Sequence, residues 1–389
     1  MNTFERVRVM PFVLALALMG IWASASWAAE DSVPALAQAL AELPPDSTVL
    51  EVPKGLYTIG STWVISRPGV TIHGAGVGKT IFIRDPSLNG VLIKMDSEGS
   101  TLSNLTLNGT GTATVLSLNR VNVTADTLEV KNFAHIGIAV PASGCRVTNC
   151  TITGINIPSA QTIGIWHDAG RGPTDATIMI DHNTIKDNGL NGIYCTGGKV
   201  TITGNQLTGN HRITSTGGGQ IDVGNAFTTN TLAVISGNTV VNGGGVKTGG
   251  LELGGGTFTV TDNTIRNHGS GGIGLGHNVV AATVAGNMIS NCGQNLNDRN
   301  KPQNRSGIYV GYGATNVVIS RNRCFDDQAN RTQTYGVILV PPPRRLDPRF
   351  APKATEHVMI RENDFRGNIH GGILDESRAR DRTVAANLP

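Results

Sequence analysis

The sequence predicts an all-β fold, a single-stranded parallel β-helix wound as one solenoid behind a short N-terminal capping helix. Three observations carry that expectation. An Asn recurs at intervals of a few tens of residues, a Gly-apolar-x-apolar strand follows it, and the composition suits many short strands joined by tight turns. The chain of 389 residues holds 50 Gly, with 15% charged and 5% aromatic residues. β-branched residues favour strands, whereas Gly and Asn supply the positive φ that turns require.

The Asn step begins at Ser103-Asn104-Leu105 and recurs at Asn149, Asn183, Asn205, Asn238, Asn263, Asn287, Asn322 and Asn363. From Asn183 onward the successive spacings are 22, 33, 25, 24, 35 and 41 residues. A base period in the low twenties with insertions is the mark of a solenoid, and the insertions map to loops. So short a period, with alternating strands and no helical stretch, leaves a parallel β-helix rather than a helical solenoid. Coils then stack at about 4.8 Å, and one Asn per coil forms a ladder of side-chain amides at a bend. On this reading the sequons at Asn104, Asn122 and Asn149 are ladder residues rather than glycosylation sites.

The second part of each repeat supplies a strand, from Gly137-Ile138-Ala139-Val140 through Gln220-Ile221-Asp222-Val223 and Gly250-Leu251-Glu252-Leu253 to Gly372-Ile373-Leu374-Asp375. Side chains alternate faces along a strand. Ile138, Ile165, Ile193, Ile221, Leu251, Ile273, Ile308 and Val337 therefore point inward. The outward file reads Ala139, Trp166, Tyr194, Asp222, Glu252, Gly274, Tyr309, Ile338 and Leu374.

The beginning of the chain is different. Charged residues up to Arg8 precede an apolar run from Val9 to Trp22 and a small-residue stretch ending at Ala29, the pattern of a signal peptide spanning 1–28. The apolar core is shorter than the roughly 20 residues of a membrane span. The mature protein is expected to be secreted or periplasmic, with no membrane span. Residues 29–60 read as an N-terminal cap with its first strand, since Ser32 to Leu43 has helical periodicity, and 61–389 as the β-helix. A solenoid needs such a cap over its first coil. The five cysteines, an odd number, match no metal motif and are read as small buried core residues. A formal charge of +3 without a Lys/Arg stripe argues against a nucleic-acid partner. Oligomeric state is not readable from these features.

The helix, the segment Val49-Leu50-Glu51-Val52-Pro53-Lys54-Gly55-Leu56-Tyr57-Thr58-Ile59, and Gly69-Val70-Thr71-Ile72-His73-Gly74-Ala75-Gly76 resemble the start of the pectate-lyase-like superfamily. The Asn and Gly-Ile repeats from Asn104 to Asp375 are similar to its parallel β-helix repeat. The resemblance implies a right-handed parallel β-helix over nearly all of the mature chain and a carbohydrate-related role. Its catalytic motifs do not carry over. Gly276-His277-Asn278 is a partial echo of the hydrolase Gly-His-Gly, Arg171-Gly172-Pro173-Thr174 lacks the second Arg of the lyase motif, and Trp166-His167-Asp168 keeps only the His-Asp of the epimerases.

Chemistry is expected on the outward file, where Asp222 and Glu252 fall on adjacent coils with aromatic residues to either side. Trp166, Tyr194 and Tyr309 are candidate platforms for sugar rings, which stack on aromatic faces, and Gly274 is expected to leave space between them. A carboxyl pair suits a glycosidase, and its separation sets the stereochemistry. The same pair suits Ca²⁺ in a lyase, since hard cations prefer oxygen ligands. His277 is a candidate catalytic base or acid, and Lys247 and Arg212 are candidate substrate-binding groups; His167, Asp168, Arg171, His211 and Tyr312 flank the same strands. Three functions stay open: a polysaccharide lyase or glycoside hydrolase acting on an extracellular polysaccharide, an epimerase, and a non-catalytic binding or surface-structural β-helix. Asp326-Asp327-Gln328 with Thr332-Gln333-Thr334-Tyr335-Gly336, and the proline-rich insertion from Pro341 to Pro352, stand out without an assigned mechanism.

Overall fold

The structure, a computed structural model, describes residues 31–111, 114–155, 160–169, 175–213, 217–224, 229–298, 302–341, 355–377 and 381–389. The expected signal peptide, Arg171 and nearly all of the proline-rich insertion lie outside these residues.

The described chain is a right-handed parallel β-helix. Helix Val33–Ala41 buries Leu36 and Leu40 on the first coil. It is tied down by Asp31, whose Oδ1 accepts the backbone N–H of Val33 at 3.1 Å and of Gly60 at 2.9 Å. Coiling begins earlier than residue 61, because Val49–Val52 and Gly55–Ile59 already pair in parallel with Thr71–Gly74 and Thr80–Arg84. Strands then stack coil on coil into one sheet of 22 strands, which bends around the solenoid, and one of 12. The 12-stranded sheet runs from Trp63–Ile65 to Gly371–Asp375 and carries the Gly-Ile strands.

The alternation read from the sequence holds along this sheet. Ile138, Ile165, Ile193, Ile221, Leu251, Ile273, Ile308 and Val337 are fully buried in one inward file. The Gly before the inward residue is required by coil spacing. A Cβ on Gly164 would lie 2.5 Å from the carbonyl of Gly192 and 2.8 Å from Ile185 Cγ2. All five cysteines are buried thiols, and burial pushes Cys150 up to about 12.

The Asn ladder forms from Asn183 to Asn387. In each step the Oδ1 of one Asn accepts both the backbone N–H and the side-chain N–H of the Asn one coil earlier, as at Asn205 with Asn238 (2.9 and 3.0 Å) and Asn238 with Asn263 (2.9 and 2.9 Å). The second N–H of each amide goes to a backbone carbonyl, Ile202 O for Asn238. The ladder does not reach back to the sequon residues. Cys150, not Asn149, occupies the ladder position and donates its N–H to Asn183 Oδ1 at 2.9 Å. Asn104, Asn122 and Asn149 instead take positive φ of 58, 61 and 54° at the bends. Asn tolerates that conformation better than most residues, so the same residue type served a different end one position away.

The Asp326 segment is a structural clip. Asp326, almost fully buried, accepts the backbone N–H of Gln328, Thr332 and Gln333 at 3.0, 2.6 and 2.8 Å. Gln333 then links three successive coils at a second bend, apart from the Asn183–Asn387 ladder, accepting from Cys292 N at 3.1 Å and donating to Asn368 Oδ1 at 2.9 Å. Among the described residues no helix is long and apolar enough to cross a membrane.

Candidate active site

Strand register places the outward file as alternation requires. Trp166 pairs with Tyr194, Tyr194 with Asp222, Asp222 with Glu252, Glu252 with Gly274, and Gly274 with Tyr309. The two acids lie on the floor of a cleft, between two depressions that share them. One, of about 370 Å³, is lined by Tyr194, Gly224, Gly254, His277, Tyr309 and Tyr312 besides the acids. The other, of about 500 Å³, lies toward the strand starts and is lined by Gly217, Gly218, Lys247, Ser270 and Asn304. Volumes of this size suit small-molecule or oligosaccharide groups.

Each acid has its own partners. Asp222 accepts Asn191 Nδ2 at 2.7 Å on Oδ2 and the backbone N–H of Gly219 at 2.8 Å on Oδ1. Glu252 accepts the hydroxyl of Tyr309 on Oε2. Burial pushes Asp222 up to about 7, partly offset by the N–H donors of Gly219 and Asn191. Burial likewise pushes Glu252 up to about 8, against the Tyr309 bond and with the added repulsion of Asp222. N–H donors favour the charged form, and a neighbouring like charge disfavours it. At neutral pH this leaves Glu252 the more protonated of the two.

Two expectations change here. Gly274 leaves no open space, because the Tyr309 ring fills it: a Cβ on Gly274 would overlap the Tyr309 phenol and Glu252 Oε2. Tyr309 is only 9% exposed and is therefore a support for Glu252 rather than an open sugar platform. Alternation decides which way a side chain leaves the strand, but not where a long ring then lies. Arg212 also departs from its expected place. Its guanidinium donates to the carbonyl of Ile155 at 3.1 Å and lines neither depression.

The remaining candidates are positioned as follows. Tyr194 lines the first depression, and Trp166 is half-buried on the file one coil before it. His277 stacks on Tyr312 with ring centroids 4.7 Å apart and planes 18° apart, forming a wall of the first depression. Burial lowers the His277 pKa, which keeps the imidazole neutral. Lys247 is exposed at the second depression. His167 is buried inside the solenoid, its Nδ1 on the carbonyl of Val140 at 2.7 Å. Asp168 is exposed and accepts Thr196 Oγ1 at 2.5 Å.

Sequence reasoning passed over Asn191 and undervalued His211. Asn191 directly precedes a Gly-Ile strand, and its role is set by the approach of Asp222 from the next coil. His211 is buried beside the acid: a Cβ on Gly218 would lie 2.6 Å from His211 Cε1 and 3.3 Å from Asp222 Oδ2.

Asp222 and Glu252 are the acids that line both depressions, and each accepts protein hydrogen bonds. Among the described residues no three His, Cys, Asp or Glu side chains converge.

The family model for the right-handed β-helix region matches residues 68–232 and 175–340, more than half of the chain. The chain belongs to the right-handed β-helix family. Known members of this architecture that superpose on it are remote in sequence. The β-helix of alginate lyase AlyF-OU02 matches with a TM-score of 0.64 at 15% identity, covering 92% of this chain and 82% of the lyase. The A-module of the Azotobacter vinelandii mannuronan C-5 epimerase AlgE4 matches with a TM-score of 0.54 at 13% identity, over 91% of this chain and 96% of the module. The Dettilon tailspike protein matches with a TM-score of 0.56 at 16% identity, over 88% of this chain, which spans 64% of the tailspike. At these identities the likeness is one of β-helix fold. No curated protein matches the chain in sequence.

Proposed function

We propose that this β-helix protein binds an extracellular polysaccharide in the Asp222–Glu252 cleft and cleaves its glycosidic bonds by hydrolysis. One observation carries the reading: two adjacent carboxyls at the floor of a cleft, both shifted toward neutrality and held by different partners. Paired carboxyls with separated proton affinities are the usual acid and base of glycoside hydrolysis. Glu252, the more protonated, gives its proton to the leaving glycosidic oxygen. Asp222, kept accessible to ionisation by Asn191 and the Gly219 N–H, serves as the carboxylate that attacks the anomeric carbon or deprotonates the attacking water. Tyr194 and the His277–Tyr312 pair supply flat apolar surface for the sugar rings beside the acids, and Trp166 extends it by a coil. The N-terminal signal pattern supports action outside the cytoplasm. That an alginate lyase and a mannuronan epimerase share the fold supports a carbohydrate substrate.

A lyase is the second reading, favoured by one feature. His277 is held neutral at the cleft wall and is therefore competent to abstract a proton α to a uronate carboxyl. The deciding experiment incubates the purified protein with a panel of neutral glycans and polyuronates, with and without chelator. Hydrolysis releases reducing ends without ultraviolet absorbance, whereas a lyase releases unsaturated ends that absorb. Binding to a glycan with neither product would leave the epimerase and the non-catalytic readings, which the C-5 configuration of the recovered polymer tells apart.

A further inference from the structure

Asp222 and Glu252 stand at equivalent places on consecutive coils and differ in what the coil before each one offers. Asn191 lies two residues before Ile193, and Gly219 two before its register partner Ile221, so the two share a file at the strand starts. The buried amide of Asn191 uses both of its hydrogens: Nδ2 donates to the carbonyl of Gly219 at 2.8 Å and to Oδ2 of Asp222 at 2.7 Å. Gly219 completes the hold by donating its backbone N–H to Oδ1 at 2.8 Å. One coil on, Gly249 takes the place of Gly219 and Glu252 that of Asp222. The place of Asn191 is now held by Gly219, which has no side chain to offer. A Cβ there would lie 2.6 Å from the carbonyl of Ile221 and 2.9 Å from the Glu252 nitrogen. Glu252 receives the Tyr309 hydroxyl from the following coils instead.

The chemistry of these donors separates the two acids. A carbonyl oxygen accepts and cannot donate, so the end of the Asn191 side chain that meets Gly219 is the nitrogen, and the same nitrogen meets Asp222. Amide nitrogens donate and cannot accept. Both oxygens of Asp222 therefore face groups that suit a carboxylate, and a proton on either oxygen competes with an N–H for it. A phenol hydroxyl donates or accepts, so Glu252 keeps its bond to Tyr309 whether it is ionised or protonated. We infer that Asn191 is the positioning residue that makes Asp222, and not Glu252, the carboxylate of the pair. Under the hydrolytic reading, on which this assignment of roles rests, Asn191 thereby leaves Glu252 as the acid.

The charged and titratable groups around Asp222 are Tyr194 from the coil before, Glu252 from the coil after, Tyr309 beyond it, His211 across Gly218 and Lys247 at the second depression. All of them remain in an Asn191 variant, so a change there reports the amide. The test is a carboxyl ¹³C NMR titration of protein labelled in Asp and Glu, with the two signals identified through Asp222→Asn and Glu252→Gln. In the wild type Asp222 is expected to ionise before Glu252. Asn191→Leu is expected to raise the Asp222 midpoint by about one pH unit or more, the scale of a lost hydrogen bond to a charged group, and to leave Glu252 ionising first. Asn191→Asp, which keeps the shape and puts an acceptor where the donor was, is expected to raise it further. A wild type in which Glu252 ionises first overturns the inference, and this order decides alone should the variants fail to fold. So does an Asn191→Leu protein that melts at a lower temperature yet keeps the wild-type order and midpoint, the result of a purely structural amide. No substrate enters the titration, so a protein that cleaves no glycan fails the hydrolytic reading without changing this result.

Discussion

Tyr309 reaches back over Gly274 to place its hydroxyl on Oε2 of Glu252, so that a buried phenol from one coil holds a carboxyl from two coils earlier. The contact makes Glu252 a supported group, and it makes the glycine between them as consequential as either partner.

Removing either acid tests the chemistry. Asp222→Asn and Glu252→Gln are each expected to lower turnover by about 10²–10⁴-fold, the usual scale of acid–base assistance, while circular dichroism is unchanged. Full activity in the double variant would show that neither carboxyl takes part in the reaction.

The pH profile follows from the two shifts. The proposed roles need Asp222 ionised and Glu252 protonated, and burial raises both, so the rate should follow a bell that lies above the ordinary carboxylate range. The limbs belong to the coupled pair rather than to single residues. Tyr309→Phe removes a bond that favours the ionised form of Glu252, and the alkaline limb should move upward. A limb that stays in place or moves down separates Tyr309 from Glu252.

The same shifts predict stability. A carboxyl whose folded pKa exceeds its unfolded value stabilises the fold fully below the unfolded pKa, and this contribution is lost as pH rises through the folded one. For Asp222 and Glu252 the loss runs from about 4 to about 8. The Asp222→Asn and Glu252→Gln proteins should therefore melt above the wild type at pH 8, with the difference fading toward pH 4. Equal melting temperatures at pH 8 would mean that neither carboxyl is strained in the fold.

Gly274→Ala puts a methyl group into the Tyr309 phenol and the Glu252 carboxyl. Since Gly274 has an ordinary strand conformation, the solenoid should persist while turnover is lost. Normal activity in this variant would show that the Tyr309 support is dispensable.

Asn238→Ala tests the ladder. It leaves the Asn205 backbone and side-chain N–H groups without their acceptor, a penalty of about 1–3 kcal/mol for a buried unsatisfied group, read as a lower melting temperature. Ile221→Asp is harsher, because an unpaired charge enters a fully buried file, and soluble protein should not be recovered.

Much of this protein is determined along the chain itself. The Gly-Ile alternation settles which residues point inward, because strand side chains alternate strictly, and it alone puts Asp222 beside Glu252 on the outward file. The Asn period settles the solenoid, because one amide per coil satisfies the same bend each time. Other features needed the third dimension. Periodicity could not tell the ladder position of Cys150 from the neighbouring turn position of Asn149, since Asn suits both. It could not show the Tyr309 ring filling the space over Gly274, Arg212 turning away to Ile155, or Asn191 donating to Asp222. These depend on where long side chains lie after leaving the strand and on which loop approaches from the next coil, and the raised proton affinities of the two acids come from that enclosure.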